Sequence, residues 1–359
     1  MLPHADPRPI GAPDREPILR ACSAAHDFFV DRLTDGWVPG YLADRALGRV
    51  LDDADWSVGY APGDWNAMTR FLTRSGFSSQ TLLAAGLTLI GRTGCIDRYC
   101  DRLVLPIRDT DGRVVSFIGR AHPSAPQRTP KYLNGPTTAV FRKGEALLGL
   151  VEQRQAIAAG ATPVLVEGPL DALAVTVSGA GHYVGIATCG AALSRAQARQ
   201  LLSVTAGRAL VTAFDGDPAG YAAGERALRE LVGFESVSAV TLPPGSDPAD
   251  VLQNDGPRRL HGLLDGAGPL AEHLIDARLR AIGRPQWIEQ RVHAARGLVP
   301  LLVQVPRGRR QAVAATIVER LDILGDTLTT LMNEPPAERF RFAGRRAPGV
   351  RASSCTPRR

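Results

Sequence analysis

The residues best placed to do chemistry are acids that close short apolar runs. PVLVEG ends in Glu167, and Asp171 follows four positions later. RALVTAFDGD ends in Asp215 and Asp217, and SVSAVTLPPG runs into GSDPAD, which holds Asp247, Ala249 and Asp250. Ionised carboxylates gathered closely repel one another, and burial adds to the cost. A divalent cation offsets both, and Mg²⁺ takes a few carboxylates together with waters and phosphate oxygens. One Asp-Gly-Asp alone reads as a turn or a helix cap. Three acidic strand ends in one sheet point instead to metal-dependent phosphate chemistry.

The elements around these acids must form a parallel sheet. From Thr162 onward, short apolar runs alternate with helical patterns across short connections, the signature of a parallel α/β unit. In such open sheets functional groups gather at the carboxyl ends of strands. His182 opens the second strand of this unit and reads as structural. Upstream, RLVLPIRDTDGRVVSFIGR (102–120) predicts a hairpin turning at Asp111-Gly112. WSVGYAP predicts an extended piece, NAMTRFLTRSG and SSQTLLAAGL two short helices, and residues 121–143 an irregular basic stretch. The expected class is α/β (α+β overall). The expected domains are a flexible arm (1–20), a mixed basic subdomain (21–157), the parallel α/β domain (158–268), a helical subdomain (269–335) and a disordered Arg-rich tail (336–359).

Charge is divided along the chain. The net charge is +6, and the tail alone supplies it, with seven arginines against Glu338. Residues 92–143 hold ten basic and four acidic side chains, whereas residues 161–257 hold five and ten. A basic region beside an acidic one suits an enzyme that holds a polyanion and metal cations together. Of 42 basic residues only Lys131 and Lys143 are lysines, and both lie in one short stretch. An ammonium is not equivalent to a guanidinium, so the pair marks positions where arginine does not serve.

VEGPLDAL, FDGDPAG and LPPGSDPADVL together resemble the three motifs of a TOPRIM domain. The upstream GYLADRALG, WSVGYAP and TPKYLNGPTTAVFRKGEALLGL resemble the N-terminal part of the catalytic core of DnaG-type bacterial primases. The resemblance covers roughly residues 22–275. It implies a Rossmann-like TOPRIM sheet and DNA-templated primer synthesis from NTPs, with Glu167, Asp215 and Asp217 as catalytic residues. It implies Mg²⁺ or Mn²⁺ held by Glu167, Asp171, Asp215, Asp217 and Asp247. It places Arg45, Arg120, Lys131, Tyr132, Asn134 and Lys143 along template or nucleotide. The second acid of the third motif would fall on Ala249, with Asp250 one position later. For Tyr132 and Phe141, core packing is the competing role, and for Arg45 and Arg120 a solvated surface.

Three readings stay open: a primase, a TOPRIM phosphodiesterase, and a non-catalytic replication-accessory protein. The five cysteines include no C-x-x-C pair, so no zinc is expected. Zinc-binding and helicase-binding domains are expected to be lacking, leaving a replicative helicase or a separate zinc-domain protein as partners beside single-stranded DNA and NTPs. No apolar run reaches membrane-span length and the N-terminus has no signal-peptide core, so a cytoplasmic location is expected. No G-x-x-x-x-G-K-[ST] or G-x-S-x-G motif is present, which argues against a P-loop ATPase and a serine hydrolase.

Overall fold

The computed structural model describes residues 15–334, apart from 93 and 191. The chain divides into two compact units, Met1–Gly268 and Pro269–Arg359. Among the described residues no helix is long and apolar enough to cross a membrane.

The first unit opens with α1 (Arg15–Val30), which buries Ile18, Cys22, Ala25 and Phe29 at helical spacing. This corrects the expectation of a loose arm through residue 20. The apolar face begins at Ile18, and the Pro-rich residues before it obscured that; residues 1–14 lie outside the described part. α2 (Val38–Asp44) ends at Arg45, and β1 (Gly59–Ala61) follows. α3 (Ala67–Arg74) and α4 (Ser79–Ala84) are the two short helices expected, the second capped by Ser78. The hairpin of β2 (Thr88–Gly91) and β3 (Gly94–Asp97) gave no clear alternation in sequence.

β4 (Arg102–Arg108) and β5 (Val114–Ala121) form the expected antiparallel hairpin, and Gly112 at φ 85° makes its turn. β6 (Tyr132–Asn134) pairs with β5, setting Arg120 opposite Tyr132 and Ile118 opposite Asn134. The irregular stretch expected over 121–143 therefore contains a strand. A three-residue strand set between Pro130 and Pro136 is too short to display a period of two. The sheet order is β1–β4–β5–β6.

After α5 (Arg154–Ala158) come β7 (Thr162–Val166), α6 (Pro169–Ser178), β8 (Tyr183–Ala187) and α7 (Arg195–Thr205). β9 (Leu210–Thr212), α8 (Pro218–Glu230), β10 (Val237–Ala239), α9 (Pro248–Asp255) and α10 (Pro257–Asp265) follow. β10, β9, β7 and β8 lie side by side in that order, each pair parallel. β7 is buried from Pro163 to Val166, as a strand covered on both faces must be. One core joins this sheet to the first: Trp56 and Leu105 share it with Val164, Val166 and Leu173. A backbone bridge between Leu148 and Ala187 ties the connection down.

The second unit is helical: α11 (Leu270–Ile282), α12 (Ile288–Leu302), α13 (Arg307–Leu321) and α14 (Gly325–Asn333). Leu274, Leu298, Ile317 and Leu328 are buried. Arg309 grips Glu272 through Nε and Nη2, at 2.6 and 2.7 Å. The tail expected to be disordered, 336–359, lies outside the described residues.

Candidate active site

The strand order alone brings the acids together. β9 lies between β7 and β10, so the loops after these three strands are neighbours at one end of the sheet. Two backbone hydrogen bonds lock two of them: Gly216 N donates to Ser246 O (3.1 Å) and Gly245 N to Gly216 O (3.0 Å). Gly220 in the first turn of α8 lets that helix close over Asp215. A Cβ there would lie 2.1 Å from the Asp215 carbonyl oxygen.

Glu167, Asp171, Asp215, Asp247 and Asp250 line one cavity of about 460 Å³, together with Arg45, Arg120, Lys131, Tyr132 and Asn134 from the first sheet and the end of α2. Acids and bases as far apart in sequence as Arg45 and Asp250 thus line one space. Ala249 lines it too. Asp217 and Lys143 do not line it. Asp217 is half-buried as the N-cap of α8, its Oδ1 accepting from Gly220 N at 2.8 Å. It lies near enough to raise the pKa of both Glu167 and Asp215. Lys143 is exposed on the loop after Phe141, which is itself buried. His182 is exposed at the amino end of β8, away from the acidic loops.

The acids differ in how they are held. Both oxygens of Asp171 are occupied: Oδ2 accepts from Gly168 N (3.0 Å) and Oδ1 from Ala249 N (3.4 Å). That carboxyl pins the turn after Glu167 to the start of α9. Burial raises its pKa well above the usual value, with Asp247 and Asp215 adding to the rise. Asp247 caps α9 by accepting from Asp250 N at 2.7 Å. Asp215 is pushed up to about 6, first by desolvation and then by Glu167, Asp247 and Asp217. Glu167 is raised by burial too, and its Oε1 is buried with no hydrogen-bond partner.

An orphaned carboxylate oxygen and mutually repelling acids fit a hard divalent cation, whose preferred donors are oxygens. Among the described residues no three acidic, His or Cys side chains are gathered closely enough to hold an ion by themselves. Mg²⁺ requires no such cage, because it keeps waters and takes substrate phosphates beside one or two carboxylates.

The basic wall is built as a stack. The Arg45 guanidinium lies 5.1 Å from the Tyr41 ring centroid, and Arg120 lies 5.2 Å from the centroids of both Tyr41 and Tyr132. Lys131 Nζ is 5.9 Å from the Tyr132 centroid. Arg120 Nη1 donates to the Tyr132 hydroxyl at 2.8 Å, while Asn134 Nδ2 donates to Cys189 O at 3.3 Å. Three cations alternate with two rings, and each ring face offsets part of the repulsion between its neighbours. Tyr41 is the residue that sequence reasoning missed, since within GYLADRALG it carries neither a charge nor a metal-ligating group to single it out. Its place four residues before Arg45, one helical turn away, was the available signal.

Residues 28–154 match the family model described as DNA primase catalytic core, N-terminal domain, and residues 164–252 match one described as Toprim-like. A DNA primase of Streptomyces coelicolor is 34% identical over 270 residues, covering 73% of this chain and 42% of that protein. One of Deinococcus radiodurans is 38% identical over 235 residues, covering 64% and 39%. The chain thus spans less than half the length of these relatives. The RNA polymerase domain of Mycobacterium tuberculosis primase DnaG superposes with a TM-score of 0.71 at 31% identity, over 85% of this chain and 99% of that one. A DnaG primase catalytic domain bound to single-stranded DNA superposes at 0.68 and 28%, over 86% and 97%.

Proposed function

Because this chain belongs to the DnaG-type DNA primase family, we propose that its cleft joins nucleotides on a single-stranded DNA template, making primers for replication. The observation that carries this reading is the shared cavity, lined by clustered carboxylates and by the cation stack. A phosphodiesterase needs the carboxylates; a polymerising site must also hold a triphosphate and a template strand. The DnaG catalytic domain bound to single-stranded DNA supports the choice of template.

A Toprim-like domain implies use of a divalent metal. In this chain Glu167, Asp215 and Asp217 are the proposed holders of Mg²⁺ or Mn²⁺, with Asp247 beside them. When bound, the ion supplies stabilisation of departing pyrophosphate and a lowered pKa for the attacking 3′-hydroxyl. Asp171 acts through its two backbone hydrogen bonds, holding the Glu167 turn against α9. Arg45, Arg120 and Lys131 neutralise triphosphate and template phosphates. Tyr132 orients Arg120, and Asn134 fixes the Cys189 loop across the cleft. Lys143, whose charge reaches the Cys189 thiol on the cleft lining, takes phosphate from outside the cavity.

The test is primer synthesis on a single-stranded template with NTPs and a Mg²⁺ titration, run beside a nuclease assay without NTPs. Metal-dependent primers without template cutting are expected. Template cutting without NTPs, and no primers, would overturn the proposal.

A further inference from the structure

A second cavity in the first unit, of about 570 Å³, shares no lining residue with the acidic cleft. Four arginines from separate segments border it: Arg15 at the start of α1, Arg108 at the end of β4, Arg142 beside Lys143, and Arg154 at the start of α5. Phe141, Leu147 and Leu150 give it an apolar lining.

Its charge is not balanced from within. Of the two lining acids, Asp109 is held by Arg113 at 3.0 Å, and Glu145 is paired with Arg142 at 3.4 Å. Arg108 shares the buried Glu152 at 3.7 Å. Among the described residues, Arg154 donates to the Thr110 carbonyl alone, at 2.8 Å. Among the described residues neither Arg15 nor Arg154 has a carboxylate partner. The volume lies in the range of small-molecule sites, which join apolar walls to a few placed polar groups. Arginine forks are suited to phosphate oxygens. Apolar surface bordered by unbalanced arginines is the complement of a flat organic body carrying phosphate.

One wall of the cavity is the loop Phe141–Leu147, which carries Lys143. α7 and its cap clip that loop by its carbonyls: Ser194 Oγ donates to Gly144 O, Gln197 Nε2 to Ala146 O (2.7 Å), and Gln200 Nε2 to Glu145 O (2.6 Å). Gln200 lines the cavity as well. On the other side, the Lys143 ammonium acts on the buried Cys189 thiol, which lines the acidic cleft.

We propose that this cavity binds an organic phosphate of nucleotide size, and that its occupancy fixes the loop carrying Lys143. The binding does not depend on the polymerising role of the acidic cleft. Only what holding Lys143 in place means for the reaction rests on that reading.

The test uses the full chain in EDTA, which suppresses metal-dependent nucleotide binding at the cleft, with ADP as the probe in isothermal titration calorimetry. One ADP per chain is expected. Affinity should fall about tenfold in the Arg15→Ser/Arg154→Ser double variant and stay unchanged in Lys131→Ala. Adenosine and inorganic pyrophosphate should each bind about tenfold more weakly than ADP, since each fills half of the complement. Both arginines are exposed, so unfolding midpoints of the double variant should match the parent. In hydrogen exchange, ADP should slow the amides of residues 144–147 in the parent and not in the double variant. No ADP binding at millimolar concentration, or binding lost in Lys131→Ala and kept in the double variant, overturns the site. Binding with unchanged exchange overturns the coupling.

Discussion

The Arg120 guanidinium lies 5.2 Å from the centroid of the Tyr41 ring, although the two residues are seventy-nine positions apart. Arg45 lies 5.1 Å from the same ring. Tyr41 therefore offers its ring to two like charges, and Tyr132 offers its ring to Arg120 and Lys131.

Tyr41→Leu removes two cation–ring contacts, each worth about 0.5–1 kcal/mol at partly exposed sites. Template Kd or nucleotide KM should rise about five- to thirtyfold. Tyr41→Phe keeps the ring that Arg45 and Arg120 approach and should stay within about twofold. Fluorescence anisotropy with labelled single-stranded DNA measures this. Equal loss in both variants would contradict a role for the ring.

Gly220 sits inside α8, where alanine is normally better by about 0.5–1 kcal/mol. A Cβ at this position would lie 2.1 Å from the Asp215 carbonyl oxygen. The expected sign is therefore reversed. Gly220→Ala should destabilise by about 1–3 kcal/mol in urea unfolding and displace Asp215, lowering primer synthesis. A stabilised, fully active variant would show that the loop has room.

Much of this was legible in the sequence, for a physical reason. β7, α6 and the Asp111-Gly112 hairpin are set by local periodicity and turn chemistry, and those signals are local. The acids were legible because they sit at strand ends, where topology alone brings them together. Tyr41 was not, because its role depends on Arg120 arriving from β5. β6 was too short to show a period. Asp171 showed its type but not its partners, two backbone amides that come from a turn and from a distant helix.

Glu152 gives a pH dependence away from the cleft. Burial lifts its carboxyl to about 7 from an ordinary 4.5, despite the Arg108 charge and the Gly149 amide. The folded state therefore binds more protons than the unfolded state between those values, and stability falls as pH rises through that window. Glu152→Gln removes the ionisation. Its melting temperature relative to the parent should be a few degrees higher at pH 8 than at pH 5. Equal differences at the two pH values would contradict the assignment.

Asp171 and Asp215 should separate stability from function. Asp171→Ala leaves the Gly168 and Ala249 amides without their acceptor, a loss of about 1–3 kcal/mol for buried groups. Its melting temperature should drop with or without Mg²⁺. Asp215→Asn relieves repulsion from Glu167, Asp247 and Asp217, so in EDTA it should melt no lower than the parent.

Asp215→Asn in a primer-synthesis assay is the most direct test of the central claim, that the acidic cleft polymerises nucleotides. With single-stranded template, NTPs and Mg²⁺, the parent should make primers. The variant, folded and with template affinity within about twofold, should lose activity by about a hundredfold or more. Primer synthesis at the parental rate in this variant would contradict the account.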